Sequence, residues 1–250
     1  MRWILYPLIL VVGLFAIGIA VAAIVLVLTY PNLPSLEVLT DYRPKVPLRV
    51  FTADGQLIGE FGEERRNVVR IEDVPATMKQ AILAAEDERF YQHGGIDTLG
   101  MARAAIMNLT SGGKKQGAST ITQQVARNFF LSSEKTYTRK LYEVLLSFKI
   151  EHNLSKDQIL ELYVNQIFLG QRAYGFSAAA QIYFGKPLKD LTPAEAAMLA
   201  GLPKAPSTFN PVVNPKRAKL RQQYVLRRMR EMGALDDKQY EAAIKQALVI

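Results

Sequence analysis

The feature that most constrains this chain is an N-terminal segment, Ile4 to Leu28, that contains no charged residue. A helix needs about 20 mostly apolar residues to cross a membrane, so the segment is long enough even when it is tilted. The alternative is a cleaved signal peptide, whose apolar core normally has about 7–15 residues and ends at a small-x-small site. The run here is longer and ends at Tyr30-Pro31. We therefore predict a transmembrane anchor over residues 1–30.

The charges that precede this segment predict its orientation. Arg2 and the amino terminus are the only ones. Positive charge near one end of a membrane helix favours the cytoplasmic side for that end. We expect a single-pass protein of the cytoplasmic membrane whose remaining residues lie on the extracytoplasmic side.

The composition excludes several kinds of site. Cysteine is absent, which excludes disulfides and thiolate metal sites. The two histidines, His93 and His152, are too few for a metal cluster, so we predict no metal site. The net charge of +8 fits a basic surface beside anionic lipid, or an anionic substrate. We expect no nucleic-acid partner.

The residues after the anchor divide into a linker with a small β element and a long helical region. Alternating apolar residues from Val46 to Thr52 and from Leu57 to Phe61 flank Asp54-Gly55, a pattern typical of a β-hairpin. From residue 73 onward, apolar residues recur at spacings of three and four, which predicts helices. The predicted helices are 76–90, 99–109, 119–130 and 135–153, followed by others that begin after Ser155, Thr192, Asn214 and Asp236. We predict a linker and hairpin over residues 31–72 and one mainly α domain over 73–250.

The first candidate site is the segment EDERFYQHGGID, which begins at Glu86. One interpretation is a solvated helix end with Gly94 or Gly95 as its C-cap. The other is a carboxylate held where a helix meets a tight turn and positioned as a general base. The spacing alone leaves both interpretations open.

The second candidate is the segment GASTITQQVARN, which begins at Gly117. Apolar residues at i, i+4 and i+8 predict one buried face: Ile121, Val125 and Phe129. Another face carries Thr120, Gln123, Gln124 and Arg127, where a surface helix would normally have Glu and Lys. A helix face with uncharged hydrogen-bonding side chains followed by an arginine suits the binding of a neutral sugar beside a phosphate. Ser119 suits either this binding face or the helix N-cap.

The third candidate is RKLYE, from Arg139 to Glu143. Residues three and four apart share a helix face, so Arg139 and Lys140 both lie beside Glu143. One interpretation is an ordinary surface ion pair, worth about 0.3–0.5 kcal/mol. The alternative is a cationic cluster that receives a leaving phosphate, with a carboxylate tuned by its neighbours.

Two later segments are interpreted as scaffold. ILELYVN, from Ile159, has the apolar spacing of a core helix, so Glu161, Tyr163 and Asn165 are assigned to packing. AGLPKAPSTFNP, from Ala200, is a helix that continues into a proline-rich loop and is assigned mainly to architecture.

These five segments, in this order, resemble the five motifs of the glycosyltransferase family fifty-one domain of class A penicillin-binding proteins. The resemblance implies a lysozyme-like, two-lobed α fold with one lobe partly dipped into the membrane. It implies a bacterial peptidoglycan glycosyltransferase that polymerises lipid II and is inhibited by moenomycin. The expected partners are lipid II, the growing glycan strand and the cytoplasmic membrane.

The resemblance also implies roles for individual residues. The general base corresponds to Glu86 and the second carboxylate to Glu143. The phosphate-binding residues correspond to Arg127, Arg139 and Lys140. The other substrate-binding positions are Asp87, Ser119, Thr120, Gln123 and Gln124. Arg127 replaces a frequent lysine, which keeps the charge and changes its geometry, and Phe209 replaces a frequent tyrosine.

Class A proteins also carry a transpeptidase domain with Ser-x-x-Lys, Ser-x-Asn and Lys-Thr-Gly motifs. This chain contains SGGK at Ser111 and SSEK at Ser132 but neither of the other two motifs, so both are interpreted as chance matches. We expect the chain to be a fragment of a bifunctional protein that lacks its transpeptidase domain.

The predicted reaction is an inverting sugar transfer. Glu86 takes the proton of the acceptor 4-hydroxyl, whose oxygen attacks C1 of the donor, and undecaprenyl pyrophosphate leaves beside the cations. Glu143 either protonates the leaving group or orients the cations. No cofactor is required, and a bound Mg²⁺ or Mn²⁺ is compatible with the residues. The alternatives are a lysozyme-like glycan hydrolase and a membrane-tethered scaffold without activity.

Overall fold

The computed structural model describes residues 2–40, 48–62, 64–110, 119–131 and 136–250. The chain divides into two compact units, residues 1–36 and 37–250. In the first unit, helix α1 (Arg2–Thr29) is followed by a short 3-10 turn, Tyr30–Asn32, with Pro31 in its first turn. Within the described part of the chain, no helix meets the combined length and hydropathy expected of a membrane span. The anchor over residues 1–30 and the domain limits stay predictions.

The second unit begins with helix α2 (Glu37–Thr40) and the predicted β-hairpin. Strands β1 (Leu48–Phe51) and β2 (Leu57–Phe61) pair antiparallel, with Leu48 opposite Phe61. The Thr52 amide donates to the Gln56 carbonyl at 2.8 Å, and Gly55 has a φ of +84°, which a side chain would disfavour. The hairpin prediction is confirmed, although Val46 lies outside the described residues.

A second small sheet was not predicted. Strand β3 (Arg65–Arg66) runs parallel to β4 (Ala173–Tyr174). Asn165 supports it, because its side chain both accepts from the Val69 amide at 2.9 Å and donates to the Val69 carbonyl at 2.8 Å. These contacts attach the chain after the hairpin to the helical region.

The rest of the unit is mainly helical, as predicted. The helices are α3 (Ala76–Glu86), α4 (Thr98–Thr110), α5 (Ile121–Phe130), α6 (Tyr137–Asn153), α7 (Lys156–Gln166), α8 (Phe176–Phe184), α9 (Pro193–Ala200), α10 (Pro215–Glu231) and α11 (Asp237–Lys245). Capping boxes begin α7, α9 and α11 at the predicted residues, Ser155, Thr192 and Asp236. Helix α8 was not predicted; its C-cap is Gly185, which has a left-handed backbone conformation.

Two groups of helices form the core. Helices α3, α9 and α10 pack against one another, and α5 packs against α6 and α7. Their buried side chains are mostly apolar, among them Met78, Ile82, Ile121, Leu146, Leu160 and Leu199. The buried polar side chains include Asp87, Thr120, Gln123 and Gln124, which lie at the end of α3 and the start of α5.

Two helix ends differ from the sequence predictions. Helix α3 ends at Glu86 rather than Phe90, because Asp87 leaves the helical conformation with φ −159° and ψ 78°. Gly94 and Gly95 therefore do not cap it, and that interpretation of the first candidate segment was wrong. The N-cap of α5 is Thr120, whose hydroxyl accepts from the Gln123 amide, rather than Ser119.

Candidate active site

Glu86, the last residue of α3, lies in a cavity of about 250 Å³. Its walls come from α3, α4, the start of α5, the loop after α9, and α10. The carboxylate is only 12% exposed, and its Oε2 accepts a hydrogen bond of 2.9 Å from Gln124 Nε2. Its Oε1 lies 3.5 Å from Arg221 Nη2 and makes no hydrogen bond with any described residue. One carboxylate oxygen is therefore held by a hydrogen bond, and the other is buried beside a cation.

Burial and nearby charges act on Glu86 in opposite directions. Burial raises the pKa of its carboxyl group above the usual 4.5. The hydrogen bond from Gln124 and the charges of Arg221, Lys204 and Arg127 lower that pKa, but burial has the larger effect. A raised pKa makes the carboxylate a stronger base, which suits removal of a proton from a hydroxyl group.

Asp87 connects the segment that follows α3 to the start of α5. Its Oδ2 accepts from the Ile121 amide at 3.0 Å, and His93 Nε2 lies 3.0 Å from its Oδ1. Asp87 and His93 are both buried, with side chains 3% and 5% exposed. A carboxylate at a helix N-terminus is favourably placed toward the unpaired amides and the helix dipole. Asp87 lines the cavity, as expected of a binding residue, but its carboxylate is engaged within the protein.

Some of the polar residues at the start of α5 line the cavity, and some form hydrogen bonds that hold the surrounding backbone in place. Thr120 donates its hydroxyl to the Gly95 carbonyl at 2.6 Å and forms a capping box with Gln123. These bonds fix the Gly95 loop against α5. Thr120, Ser119 and Gln124 also line the cavity, whereas Gln123 does not.

The predicted cationic cluster forms at the start of α6. Glu143 is buried, and its two carboxylate oxygens are occupied by Arg139 Nη1 and by Lys140 Nζ, the latter at 2.9 Å. Lys140 also donates to Ser119 Oγ at 3.1 Å and to Gln123 Oε1 at 3.4 Å. Burial, followed by the charges of Arg127 and Arg139, lowers the pKa of Lys140. The interpretation as an ordinary surface pair was wrong, because the carboxylate is enclosed.

Arg127 and Ser119 connect this cluster to the cavity. Both line the cavity, while Lys140 bonds to Ser119 and the charge of Arg127 acts on both Lys140 and Glu86. Arg127 forms no ion pair with a carboxylate in the described part of the chain. Six of the predicted site residues line the cavity: Glu86, Asp87, Ser119, Thr120, Gln124 and Arg127. The other four, Gln123, Arg139, Lys140 and Glu143, lie beside it in the cluster.

The sequence prediction missed the cavity residues of α10. Arg221 is buried and donates to the carbonyls of Gly201 and Ala85 while its guanidinium lies 4.6 Å from the Tyr224 ring centre. Arg228 lines the same cavity. The spacing 221, 224, 228 is that of one helix face, so the signal was present in the helix that was predicted to begin after Asn214.

Lys204 was also missed, because its segment was assigned to architecture. It lines the cavity in the loop after α9, and burial and the charge of Arg221 lower its pKa while Glu86 raises it. A chain of ion pairs crosses the same cavity: Glu88 contacts Arg103 of α4 at 3.2 Å and Arg228 of α10 at 2.5 Å. The cavity therefore has more cationic side chains than the motifs predicted.

Scaffold roles are confirmed for two residues of α7. Glu161 accepts from the Ile71 amide at 2.7 Å, and Asn165 holds Val69 as described above. Tyr163 is fully buried, but its hydroxyl has no hydrogen-bond partner among the described residues. No group of three or more His, Cys, Asp or Glu side chains suited to a metal ion occurs in the described ranges.

Comparison with known proteins gives consistent matches. The family profile described as Transglycosylase matches residues 54–230. Penicillin-binding protein 1A of Neisseria meningitidis serogroup A is 59% identical over 239 residues, which are 96% of this chain and 30% of that protein. Penicillin-binding protein 1A of Pseudomonas aeruginosa is 51% identical over 218 residues, which are 87% of this chain and 26% of that protein. A 2.6 Å crystal structure of penicillin-binding protein 1A from Haemophilus influenzae is 34% identical, covers 83% of this chain and 21% of that chain, and has a TM-score of 0.48. The chain thus spans about 30% of the length of the first of these relatives.

Proposed function

The chain belongs to the transglycosylase family, and we propose that it is a peptidoglycan glycosyltransferase that polymerises lipid II into β-1,4-linked glycan strands. The resemblance to the glycosyltransferase domain of class A penicillin-binding proteins is confirmed by the family match and by the named relatives. The observation that carries the proposal is the buried Glu86 carboxylate, which belongs to the lining of a cavity walled by cations and has a pKa raised by its burial.

Glu86 acts as the general base in the proposed reaction. Its Oε1 accepts the proton of the acceptor 4-hydroxyl as that oxygen forms a bond to C1 of the donor sugar. The bond between C1 and the pyrophosphate oxygen breaks, and its electron pair leaves with undecaprenyl pyrophosphate. Gln124 holds the other carboxylate oxygen, so the base enters the reaction already oriented.

The cations stabilise the charge that develops on the leaving pyrophosphate. Arg127 has no carboxylate partner in the described residues, and Lys140 has a side chain that is 46% exposed, so both can reach a phosphate. Charge-assisted bonds of this kind are roughly twice as strong as neutral ones. Both oxygens of Glu143 accept from cations, which supports an orienting role for Glu143 over proton donation.

The two alternative functions fit this site less well. A glycan hydrolase needs a carboxylic acid and a positioned water, but it has no use for several cations beside the base. A scaffold without activity would not need a buried carboxylate with a raised pKa, which is costly to hold and typical of catalytic sites. We retain both alternatives as outcomes of the experiment below.

The membrane assignments belong to the proposal. Helix α1 has 28 residues, a length of about 42 Å, and its described apolar side chains are exposed. On α4, Leu99, Met101 and Leu109 are exposed by 62%, 45% and 83%. We propose that α1 anchors the chain in the bacterial cytoplasmic membrane and that α4 dips into its extracytoplasmic surface. The lysozyme-like, two-lobed arrangement is proposed on the family resemblance.

Cofactors and partners complete the proposal. The reaction has no obligatory cofactor, and Mg²⁺ or Mn²⁺ can accompany the pyrophosphate. The partners are lipid II, the growing strand and the membrane, together with a transpeptidase domain of the longer protein.

A polymerisation assay separates the three functions. Purified protein in detergent is incubated with lipid II, and in parallel with preformed glycan, and the product lengths are measured. Long, moenomycin-sensitive glycan from lipid II is the expected result. Shortened preformed glycan would indicate the hydrolase, and no change in either substrate would indicate the scaffold.

A further inference from the structure

Arg221 is a buried arginine of α10 whose guanidinium group is held on several sides. Only 8% of its side chain is exposed. Its Nε donates to the Gly201 carbonyl at 3.4 Å, and its Nη2 donates to the Ala85 carbonyl at 3.3 Å. The ring centre of Tyr224 lies 4.6 Å from the guanidinium carbon. A buried cation is costly unless an anion lies beside it, and among the described residues that anion is Glu86.

The two carbonyls that Arg221 binds belong to the ends of two helices. Ala85 is the second-last residue of α3, and Gly201 is the C-cap of α9. The last carbonyls of a helix have no partner within the helix, and a cation beside them is favourable. Arg221 therefore attaches the C-terminal ends of α3 and α9 to α10. The end of α3 is the point where Glu86 lies.

Arg221 lies beside the Glu86 carboxylate without forming a hydrogen bond to it. Its Nη2 is 3.5 Å from Oε1 of Glu86, and Oε1 has no hydrogen-bond partner among the described residues. The same nitrogen donates to the carbonyl of Ala85, the residue before Glu86. One guanidinium group thus fixes the backbone next to the proposed base and places a positive charge next to its carboxylate.

We propose that Arg221 is a positioning residue for the general base, which fixes the end of α3 that carries Glu86 and favours the ionised form of its carboxylate. A cation close to a carboxylate stabilises the charged form. Because the Nη2 proton is directed to Ala85, the lone pairs of Oε1 stay free to accept the proton of a hydroxyl group. This role of Arg221 rests on the proposed function of Glu86.

Gly201 leaves the space that Arg221 occupies. A Cβ atom at position 201 would lie 2.8 Å from Arg221 Cγ, whereas carbon atoms in contact are normally about 3.5–4.0 Å apart. Cγ is near the start of the side chain, so movement of the guanidinium group alone cannot relieve this contact. Gly201 has a φ of −78°, which alanine adopts without strain. Gly201→Ala should therefore displace Arg221 without removing its charge.

Other charges also act on Glu86. Arg221, Lys204 after α9 and Arg127 on α5 all lower its pKa, and Arg221 has the largest effect of the three. The pKa of Tyr163, on α7, is raised well above its usual value, so that residue stays neutral. The other ionisable side chains in the cavity lining are Asp87, Glu88, Asp97, Arg103, Tyr224 and Arg228. All of these groups remain when Arg221 alone is replaced.

The first test compares Arg221→Gln with Arg221→Lys. The pH dependence of kcat/KM for lipid II polymerisation reports the pKa of the base in the free enzyme. Loss of a nearby cation raises the pKa of a carboxylate, so Arg221→Gln should move the acidic limb upward by about one pH unit, with about a tenfold loss of kcat/KM below it. Arg221→Lys keeps the charge but lacks the planar fork of donors, so kcat should fall and the limb should not move.

Two further variants complete this test. Arg217→Gln removes an exposed charge from the same helix and should change neither kcat nor the limb. Gly201→Ala should move the limb in the same direction as Arg221→Gln, but by less, because the guanidinium group is displaced rather than lost. An equal shift of the limb in Arg221→Gln and Arg221→Lys would contradict the role of the charge.

A second readout does not depend on activity. Infrared difference spectra between the wild type and Glu86→Gln, recorded across pH, give the titration of the Glu86 carboxylate. The same difference recorded in the Arg221→Gln background should show a higher midpoint. An unchanged midpoint, or an equal shift in the Arg217→Gln background, would overturn the proposal.

The spectra also separate the possible failures. If Arg221→Gln does not fold, the Gly201→Ala background decides in the same way, with a higher midpoint expected and an unchanged one contradicting the proposal. If the wild-type protein does not polymerise lipid II, the proposed function fails. The spectra still decide whether Arg221 holds the Glu86 carboxylate in its ionised form.

Discussion

At Glu86, burial raises the pKa of a carboxylate while three cations and an amide lower it. The net increase has a kinetic consequence for the proposed role of Glu86, because a general base works only when it is ionised. The acidic limb of kcat/KM should therefore lie above pH 4.5, the usual value for glutamate. The limb should be measured between pH 4 and 8, and a limb at or below 4.5 would contradict the burial argument.

Glu86→Gln keeps the size of the side chain and removes the proposed base. A positioned general base contributes about 10²–10⁴-fold, so turnover should fall by about that factor. Moenomycin affinity should change little, because the cationic cluster is not altered. Rate and affinity should be measured on the same preparation, and near-normal turnover would show that Glu86 is not the base.

A substitution at Lys140 tests whether this residue binds phosphate or is only a surface charge. Lys140→Ala removes a cation that holds Ser119, Gln123 and Glu143 together, and charged hydrogen bonds are worth about 1.5–3 kcal/mol. We expect kcat/KM to fall at least tenfold and moenomycin to bind more weakly.

The control for that variant must be chosen from the structure. Lys186 lies outside every motif, but it forms an ion pair of 2.7 Å with the buried Glu195. Lys238 on α11 is exposed and is the better control. Equal, small losses for Lys140→Ala and Lys238→Ala would reduce Lys140 to a surface charge.

At the scale of elements, Asp87 links the end of α3 to the start of α5. Asp87→Asn retains an acceptor for the Ile121 amide but weakens the contact with His93. The free energy of unfolding should therefore fall by about 1–3 kcal/mol. Thermal unfolding measures this, with Asp157→Asn as the control because Asp157 is exposed. Equal melting temperatures for both variants would show that the link contributes nothing.

The elements also show which structural features a sequence can predict. The helix starts at Ser155, Thr192 and Asp236 were predicted because their signal lies within a few residues, and each is a capping box in the structure. The β3–β4 pair was not, because each strand has two residues and the partners lie over 100 positions apart. Glu86 was found as a candidate base, but Arg221 and Lys204 were not, since their approach to it depends on the packing of α3, α9 and α10.

At the scale of the whole molecule, two apolar regions are proposed to meet the membrane. Removal of residues 1–30 should weaken binding to lipid vesicles without abolishing it, because Leu99 and Leu109 remain exposed on α4. Vesicle co-sedimentation measures the effect, and the truncated chain with Leu109→Gln should bind less than the one with Leu220→Gln. Leu220, on α10, is 67% exposed. Complete loss of binding after truncation would contradict the proposed contact of α4.

Glu86 is proposed to activate a sugar hydroxyl rather than a water molecule. The most direct measurement is lipid II turnover in water enriched in oxygen-18, followed by mass spectrometry of the products. Transfer joins C1 to an oxygen of the acceptor, so the glycan should contain no solvent oxygen at its new bonds. The Glu86→Gln variant should produce little glycan. Free disaccharide or short glycan that carries oxygen-18 at C1 would show hydrolysis and would contradict the account.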